Sequence, residues 1–234
     1  FDPNHFGTWK KFRKDFYTEN DEEIDDKLRA KTSKYILRRL KSDLSLELKD
    51  KVEVARSVDI NSESEGYLNI LNSQENALTR MRGLKDFCLH KILVQKEIEQ
   101  SVLYQLNALQ SFPKTLELIN LLKEIQVKEE KVIIFAINRV LQTLLKYHLE
   151  QIFHLNIGIV NGDTNKGSKV LEMLDSFKQQ NGFGIVILST LAAGVGLTIT
   201  EANHVIHYER WWNPSKEDQA SDRVYRIGQK KDVY

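Results

Sequence analysis

Beyond Ser111-Phe112-Pro113 the chain alternates short apolar, β-branched runs with amphipathic stretches, and that rhythm narrows the available folds more than any other feature. The spacing predicts a helix over Lys114–Gln126, a strand over Lys131–Ala136, a helix over Arg139–Phe153 and a strand over Ile157–Val160. A helix over Lys169–Gln179 and strands over Ile185–Leu188 and His204–Tyr208 follow. Runs such as Val132-Ile133-Ile134-Phe135 are apolar on both faces, so both faces must be covered. Strands separated by amphipathic helices therefore imply one central parallel sheet, an α/β architecture. Ligands of such sheets gather beyond the carboxyl ends of the strands.

The first half has a different rhythm. Phe6 to about Leu48 is helical and charged, Val52–Ile60 alternates as a short strand would, and Asn61–Gln110 has helical apolar spacing interrupted only by Gly66 and Gly83. Lys27–Lys41 holds seven basic residues and no acidic one, which fits either a solvated helix face or a phosphate contact. The acidic run Asp21–Asp26 follows no apolar strand and reads as a solvated loop. A hydrophobic fraction of 41% with 29% charged residues is ordinary for globular protein. No apolar run approaches membrane-spanning length and no secretory signal opens the chain. An intracellular protein without membrane contact is expected, cytoplasmic and nucleoid-associated or nuclear. The single cysteine, Cys88, excludes an internal disulfide and a cysteine zinc cluster, and no metal site is expected. A net charge of +1 means that any nucleic-acid contact must be local.

Asn213 before Pro214 reads as an N-cap followed by a first-turn proline, so a helix should start there. Continued, that helix carries Gln219, Arg223 and Arg226 at i, i+4 and i+7 on one face, with Ala220, Val224 and Ile227 as its packing stripe. Two neighbouring guanidinium groups repel unless a polyanion lies between them, and each presents a planar fork of donors to phosphate oxygens. A lone Arg-x-x-Arg is ordinarily a solvated helix end. With the glutamine, the apolar stripe and the closing Ile227-Gly228-Gln229, the pattern reads as half of an ATP site.

These residues resemble the last motif of superfamily-two helicase-like ATPases, in the Gln-Ala-x-x-Arg-x-x-Arg-x-Gly-Gln form typical of Swi/Snf-type DNA translocases. Lys131–Ala136 resembles the first strand motif of the second motor lobe, Leu188–Leu197 the Ser-Thr-Arg-Ala-Gly-Gly-x-Gly block, and Trp211-Trp212-Asn213-Pro214 the Trp-Asn-Pro signature. Weaker echoes occur in Ile36–Lys41 and Leu84–His90. The resemblance implies the end of a first motor lobe and a linker over residues 1–60, a helical protrusion over 61–110, and a RecA-like second lobe over 111–234. It implies ATP with Mg2+ held mainly by another lobe, and double-stranded DNA, an N-terminal RecA-like lobe and accessory proteins as partners. Arg223 and Arg226 become the catalytic residues, with Gly196 and Gln219 beside them at the nucleotide. Asn138, Arg139, Gly162, Ser189, Thr190 and Trp212 become the DNA contacts. The implied output is translocation on duplex DNA. The alternatives are a strand-separating DNA or RNA helicase and a catalytically inactive scaffold, and the intact arginine pair counts against the scaffold.

No Gly-x-x-x-x-Gly-Lys-Ser/Thr loop exists in these residues, so the chain is expected to be a fragment of a larger enzyme that does not hydrolyse ATP alone. Several single residues can also be placed. Gly194 and Gly196 permit close backbone approach to a ligand, and the Thr190 hydroxyl can donate to a phosphate. Trp211 is expected to pack inward while Trp212 faces DNA. His204, His207, Cys88 and His90 are expected to be structural. Three positions depart from the family: Leu191 replaces a basic residue, Ala193 a glycine, and Tyr208-Glu209-Arg210 an aspartate-rich stretch.

Overall fold

The computed structural model describes residues 3–16, 22–36, 48–60, 64–94, 112–162, 168–190 and 198–234. Two compact units emerge, Phe1–Leu46 and Glu47–Tyr234. The first contains α1 (Pro3–Phe6), α2 (Trp9–Phe16) and α3 (Glu22–Thr32). Aromatic rings line one side of α2: Trp9, itself exposed, stacks on Phe12 at 5.9 Å, and Phe12 leans on Phe16 at 5.0 Å. Residues 22–26, expected to be a loop, instead form the first turns of α3, where carboxylates favour the positive end of a helix.

The second unit opens with α4 (Ser64–Leu71), α5 (Ala77–Leu89) and a 3-10 turn at Lys91–Val94. Between α4 and α5 the polar run Asn72–Asn76 ends the helical rhythm without glycine or proline, because Asn76 accepts the Thr79 N–H at 2.9 Å and caps α5. The rest of the expected helical stretch, residues 95–110, lies outside the described residues. Then come α6 (Pro113–Val127), β1 (Lys131–Phe135), α7 (Arg139–Phe153), β2 (Gly158–Val160), α8 (Ser168–Gln179), β3 (Gly184–Leu188), β4 (His204–His207) and α9 (Pro214–Ser221). The four strands form one parallel sheet in the order β2-β3-β1-β4, as the alternating rhythm predicts.

Every residue of β1 and β3 is buried, and the strand pleat divides them between two cores. Val132, Ile134, Ile185 and Ile187 pack with Leu118, Leu122, Leu141 and Leu145 of α6 and α7. Ile133, Phe135, Val186 and Leu188 pack with Val170, Leu174 and Phe177 of α8, and with Ala220 and Val224. The strand expected over 52–60 does not form. A single parallel bridge joins Lys51 to Val233, with the Val52 N–H donating to the Val233 carbonyl at 2.8 Å, and Val54 is already 67% exposed. Alternation alone makes no strand where no neighbouring backbone offers a ladder.

At the amino end of the sheet, Glu130 meets His204 at 2.6 Å and Lys231 at 2.9 Å. Burial opposes its ionisation, but hydrogen bonds from His204, Asn203 and Lys231 outweigh that and hold its carboxyl at about 2, down from 4.5. Burial also lowers the pKa of His204 against the pull of Glu130, so a neutral ring donating its N–H to the carboxylate suits both. A carboxyl depressed on folding stabilises the protein fully above its unfolded value and loses that contribution as pH falls through its folded value. The melting temperature should therefore drop between pH 4.5 and about pH 2, and Glu130→Gln should flatten that slope in thermal melts. An unaltered slope in the variant would refute the assignment.

Candidate functional site

The carboxyl ends of the strands carry the expected residues, and a buried carboxylate organises them. Glu209, just past β4 and 2% exposed, accepts the N–H groups of Ile137 at 2.7 Å and Asn138 at 2.8 Å. Its other oxygen meets Lys85 of α5 at 2.6 Å. Tyr208 donates its hydroxyl to the Leu89 carbonyl at 3.0 Å, so β4 holds α5 at two points. Asn138 also caps α7 by accepting the Leu141 N–H at 3.1 Å. Burial raises the pKa of Asp86, Lys85 lowers it, the Glu209 charge adds to the rise, and a hydrogen bond with Asn138 opposes it.

Buried Gln142 donates to the Ala136 carbonyl at 2.7 Å and accepts from Asn161 at 2.8 Å, which ties the end of β1 to the end of β2. The Ser189 N–H reaches the Val160 carbonyl at 2.8 Å, closing β2 onto β3. Arg139 is exposed, and its guanidinium lies 3.7 Å from where a Cβ on Gly162 would stand. Asn138, Arg139, Gly162, Ser189 and Thr190 thus follow the carboxyl ends of β1, β2 and β3. Trp212 is 72% exposed beside a groove of about 590 Å³ that Leu78, Met81, Lys85, Asn138 and Glu209 also line. Trp211 is half-buried. Glu217, 6% exposed and unmarked in the sequence reading, fixes this turn by accepting from the Trp211 N–H at 2.7 Å and Arg210 Nε at 2.9 Å.

Asn213 caps α9 by accepting the Ser215 N–H at 3.0 Å, and Pro214 is its first residue, as expected. The helix nevertheless stops at Ser221. Gln219 lies on α9 and is exposed, while Arg223 and Arg226 lie in the tight turns beyond it, so the three do not share a helical face. The packing stripe ends early too, because Ala220 and Val224 are fully buried but Ile227 is 70% exposed. Gln229 accounts for the stop. Gly228 takes a φ of 101°, which favours glycine, and sends the chain back. The buried Gln229 amide then donates to the carbonyls of Ala202 at 2.8 Å and Thr200 at 3.1 Å. These tertiary bonds override the local helical preference.

The turns bring Arg226 to the Thr198 hydroxyl at 3.0 Å and join the Arg223 carbonyl to the Ile199 N–H at 3.1 Å. Among the described residues, Arg223 Nε is buried without a hydrogen-bond partner, and so is the Thr190 hydroxyl. An unmatched buried donor costs about 1–3 kcal/mol, so both are poised for an acceptor such as a phosphate oxygen. Gly196, together with Leu191, Ala193 and Gly194, lies outside the described residues. His207 is stacked on Phe135 at 5.2 Å and hydrogen-bonded to Ser221 at 2.9 Å, in keeping with a structural role. Among the described residues no group of three or more His, Cys, Asp or Glu could hold a metal ion, and no helix is long and apolar enough to cross a membrane.

Comparison with known proteins fits this geometry. Residues 113–228 match the helicase conserved C-terminal domain and residues 1–111 the SNF2-related domain. The Zorya protein ZorD of Escherichia coli O139:H28 is 38% identical over 236 residues, covering 92% of this chain and 21% of that protein. MG018 of Mycoplasma genitalium, described as an uncharacterized ATP-dependent helicase, is 29% identical over 250 residues, covering 99% of this chain and 22% of its own. The solved SWI2/SNF2 ATPase core of Sulfolobus solfataricus in complex with dsDNA superposes with a TM-score of 0.59 at 26% identity, over 99% of this chain and 51% of that one. The chain thus spans about a fifth of the length of these curated relatives.

Removing the Glu209 carboxylate leaves two amides and a lysine without their acceptor. Glu209→Ala should therefore lower unfolding free energy by about 3 kcal/mol in denaturant titration. A loss below about 1 kcal/mol, the range of a surface ion pair, would contradict this role.

Proposed function

The chain belongs to the SNF2-related family of helicase-like ATPases, and on that premise we propose that it is the C-terminal part of a motor that hydrolyses ATP to move along double-stranded DNA. Residues 1–60 close a first lobe and lead away from it, 61–110 form a helical protrusion, and 111–234 are the second RecA-like lobe. ATP binds between this lobe and an N-terminal RecA-like lobe, which carries the Walker loop and most of the Mg2+ contacts. Accessory proteins set the target.

The buried Arg223 Nε is the observation that carries this reading, because that donor has no hydrogen-bond partner among the described residues. Arg223 and Arg226 stabilise negative charge as it builds on the transferred phosphoryl group, an effect worth ~10³–10⁵ in rate for arginines so placed. Gln219 and Gly196 adjoin the nucleotide. The strand-end row of Arg139, Gly162, Ser189 and Thr190, with Trp212, meets the DNA backbone, and Asn138 shapes that row through its cap on α7. Contacts of this kind position the protein on DNA without reading bases.

In the complete enzyme, Arg223→Ala and Arg226→Ala should each remove most DNA-stimulated ATP turnover while leaving melting temperature and DNA affinity nearly unchanged. Val224→Asp, which puts a charge into the core beside them, should melt early. Arginine variants that keep normal turnover, or melt as early as Val224→Asp, would sink the reading. Duplex DNA should stimulate turnover more than single-stranded DNA or RNA, and each phosphate contacted should add about 0.9 to the log–log salt slope of binding. Strong base preference with little salt dependence would contradict the backbone contacts.

A further inference from the structure

Because α9 ends at Ser221, no helical backbone fixes Arg223 in place, and other restraints must hold it. Ser221 is the pivot. Its carbonyl accepts the N–H groups of both Val224 and Tyr225 at 3.0 Å, which closes the turn around Arg223. Its hydroxyl is hydrogen-bonded to His207 Nε2 at 2.9 Å. His207 is the last residue of β4, and its ring lies flat on Phe135 of β1, 5.2 Å between centroids and 16° between planes. One short path therefore runs from the central strand β1 and the edge strand β4, through an imidazole, to the turn that presents the arginine.

We propose that His207 is a positioning residue for Arg223, fixing the guanidinium for phosphate contact through the Ser221 hydroxyl. The proposal rests on the reading of Arg223 given above. Several observations fit an orienting role. His207 Nδ1 is buried with no hydrogen-bond partner, so the ring is steered by its Phe135 stack and its Nε2 bond. The charged groups around it are Glu217 on α9, Arg210 after β4, and Lys51 and Glu53 of the 48–60 segment. Burial lowers the pKa of His207, and these two cations and two carboxylates oppose one another, so the imidazole stays neutral. A proton on Nδ1 would find no acceptor there. The site is thus built to hold one ring orientation rather than to exchange charge.

Positioning residues act most strongly where geometry matters most, in the transition state, and a displacement of about 1 Å can cost up to ~100-fold in rate. In the complete enzyme with duplex DNA, His207→Phe keeps the aromatic stack and loses the hydrogen bond, while Ser221→Ala removes the same bond from the other side. Each should lower kcat by about 10-fold to 100-fold with KM for ATP little changed. The double variant should be no slower than the worse single variant, since both remove one bond. His207→Gln, which can place an amide nitrogen near the position of Nε2, should recover most of the rate. Should His207→Phe melt early, Ser221→Ala and the glutamine rescue still decide the matter. Arg223→Ala run in parallel separates two failures. If it turns over normally, the arginine reading falls. If it is inactive while Ser221→Ala and His207→Phe keep the wild-type kcat, or lose it additively, the positioning role falls.

Discussion

The Glu209 carboxylate has almost no access to water, so its charge must be matched by donors held in fixed places. Those donors come from the β1–α7 turn and from α5, regions brought together only by folding. A carboxylate in that position does what no apolar side chain can: it demands both neighbours at once. The beginning of α7, the end of β1 and helix α5 therefore share one anchor. Exposed Arg139 follows directly from it.

The neighbouring restraints are neutral. Gln142 bridges β1 and β2, and Gln229 gathers the carbonyls beneath the arginine turn. Amides serve here because each carries donors and an acceptor in one plane and needs no counter-ion. At the arginine turn, exposed Arg226 donates to the Thr198 hydroxyl, and Arg223 Nε has no hydrogen-bond partner among the described residues. A frame of fixed amides around such a donor is well suited to an anionic ligand that comes and goes.

The sheet was legible in the sequence because burial on both faces leaves a mark that few other structures share. Val132–Phe135 and Ile185–Leu188 had to be strands of the central sheet, and the cap at Asn213 announced its helix. The positions of Asn138, Arg139, Gly162, Ser189 and Thr190 followed from the strands. What was hidden depended on distant partners. The stop of α9 is imposed by Gln229 reaching Thr200 and Ala202, which no local pattern around Ser221 could reveal. The roles of Glu209 and Glu217 left no mark in the sequence, since burial of an acid is visible only once its donors surround it. Val52–Ile60 alternates properly yet finds a ladder partner only at Val233, and periodicity cannot count neighbouring strands.

That single bridge has a mechanical meaning. Asp50 and Val52 hydrogen-bond to Val233, while Tyr234 exchanges hydrogen bonds with Asn203 and Val205 beside β4. The incoming segment is thus laced to the sheet through two residues from the opposite end of the described chain. Tension arriving along residues 48–50 would meet this lacing first, in shear, before it reached α4 or α5. With so few bonds in series, the lacing would act as a fuse: it transmits small pulls directly into the sheet edge and yields to large ones while the two buried cores stay intact.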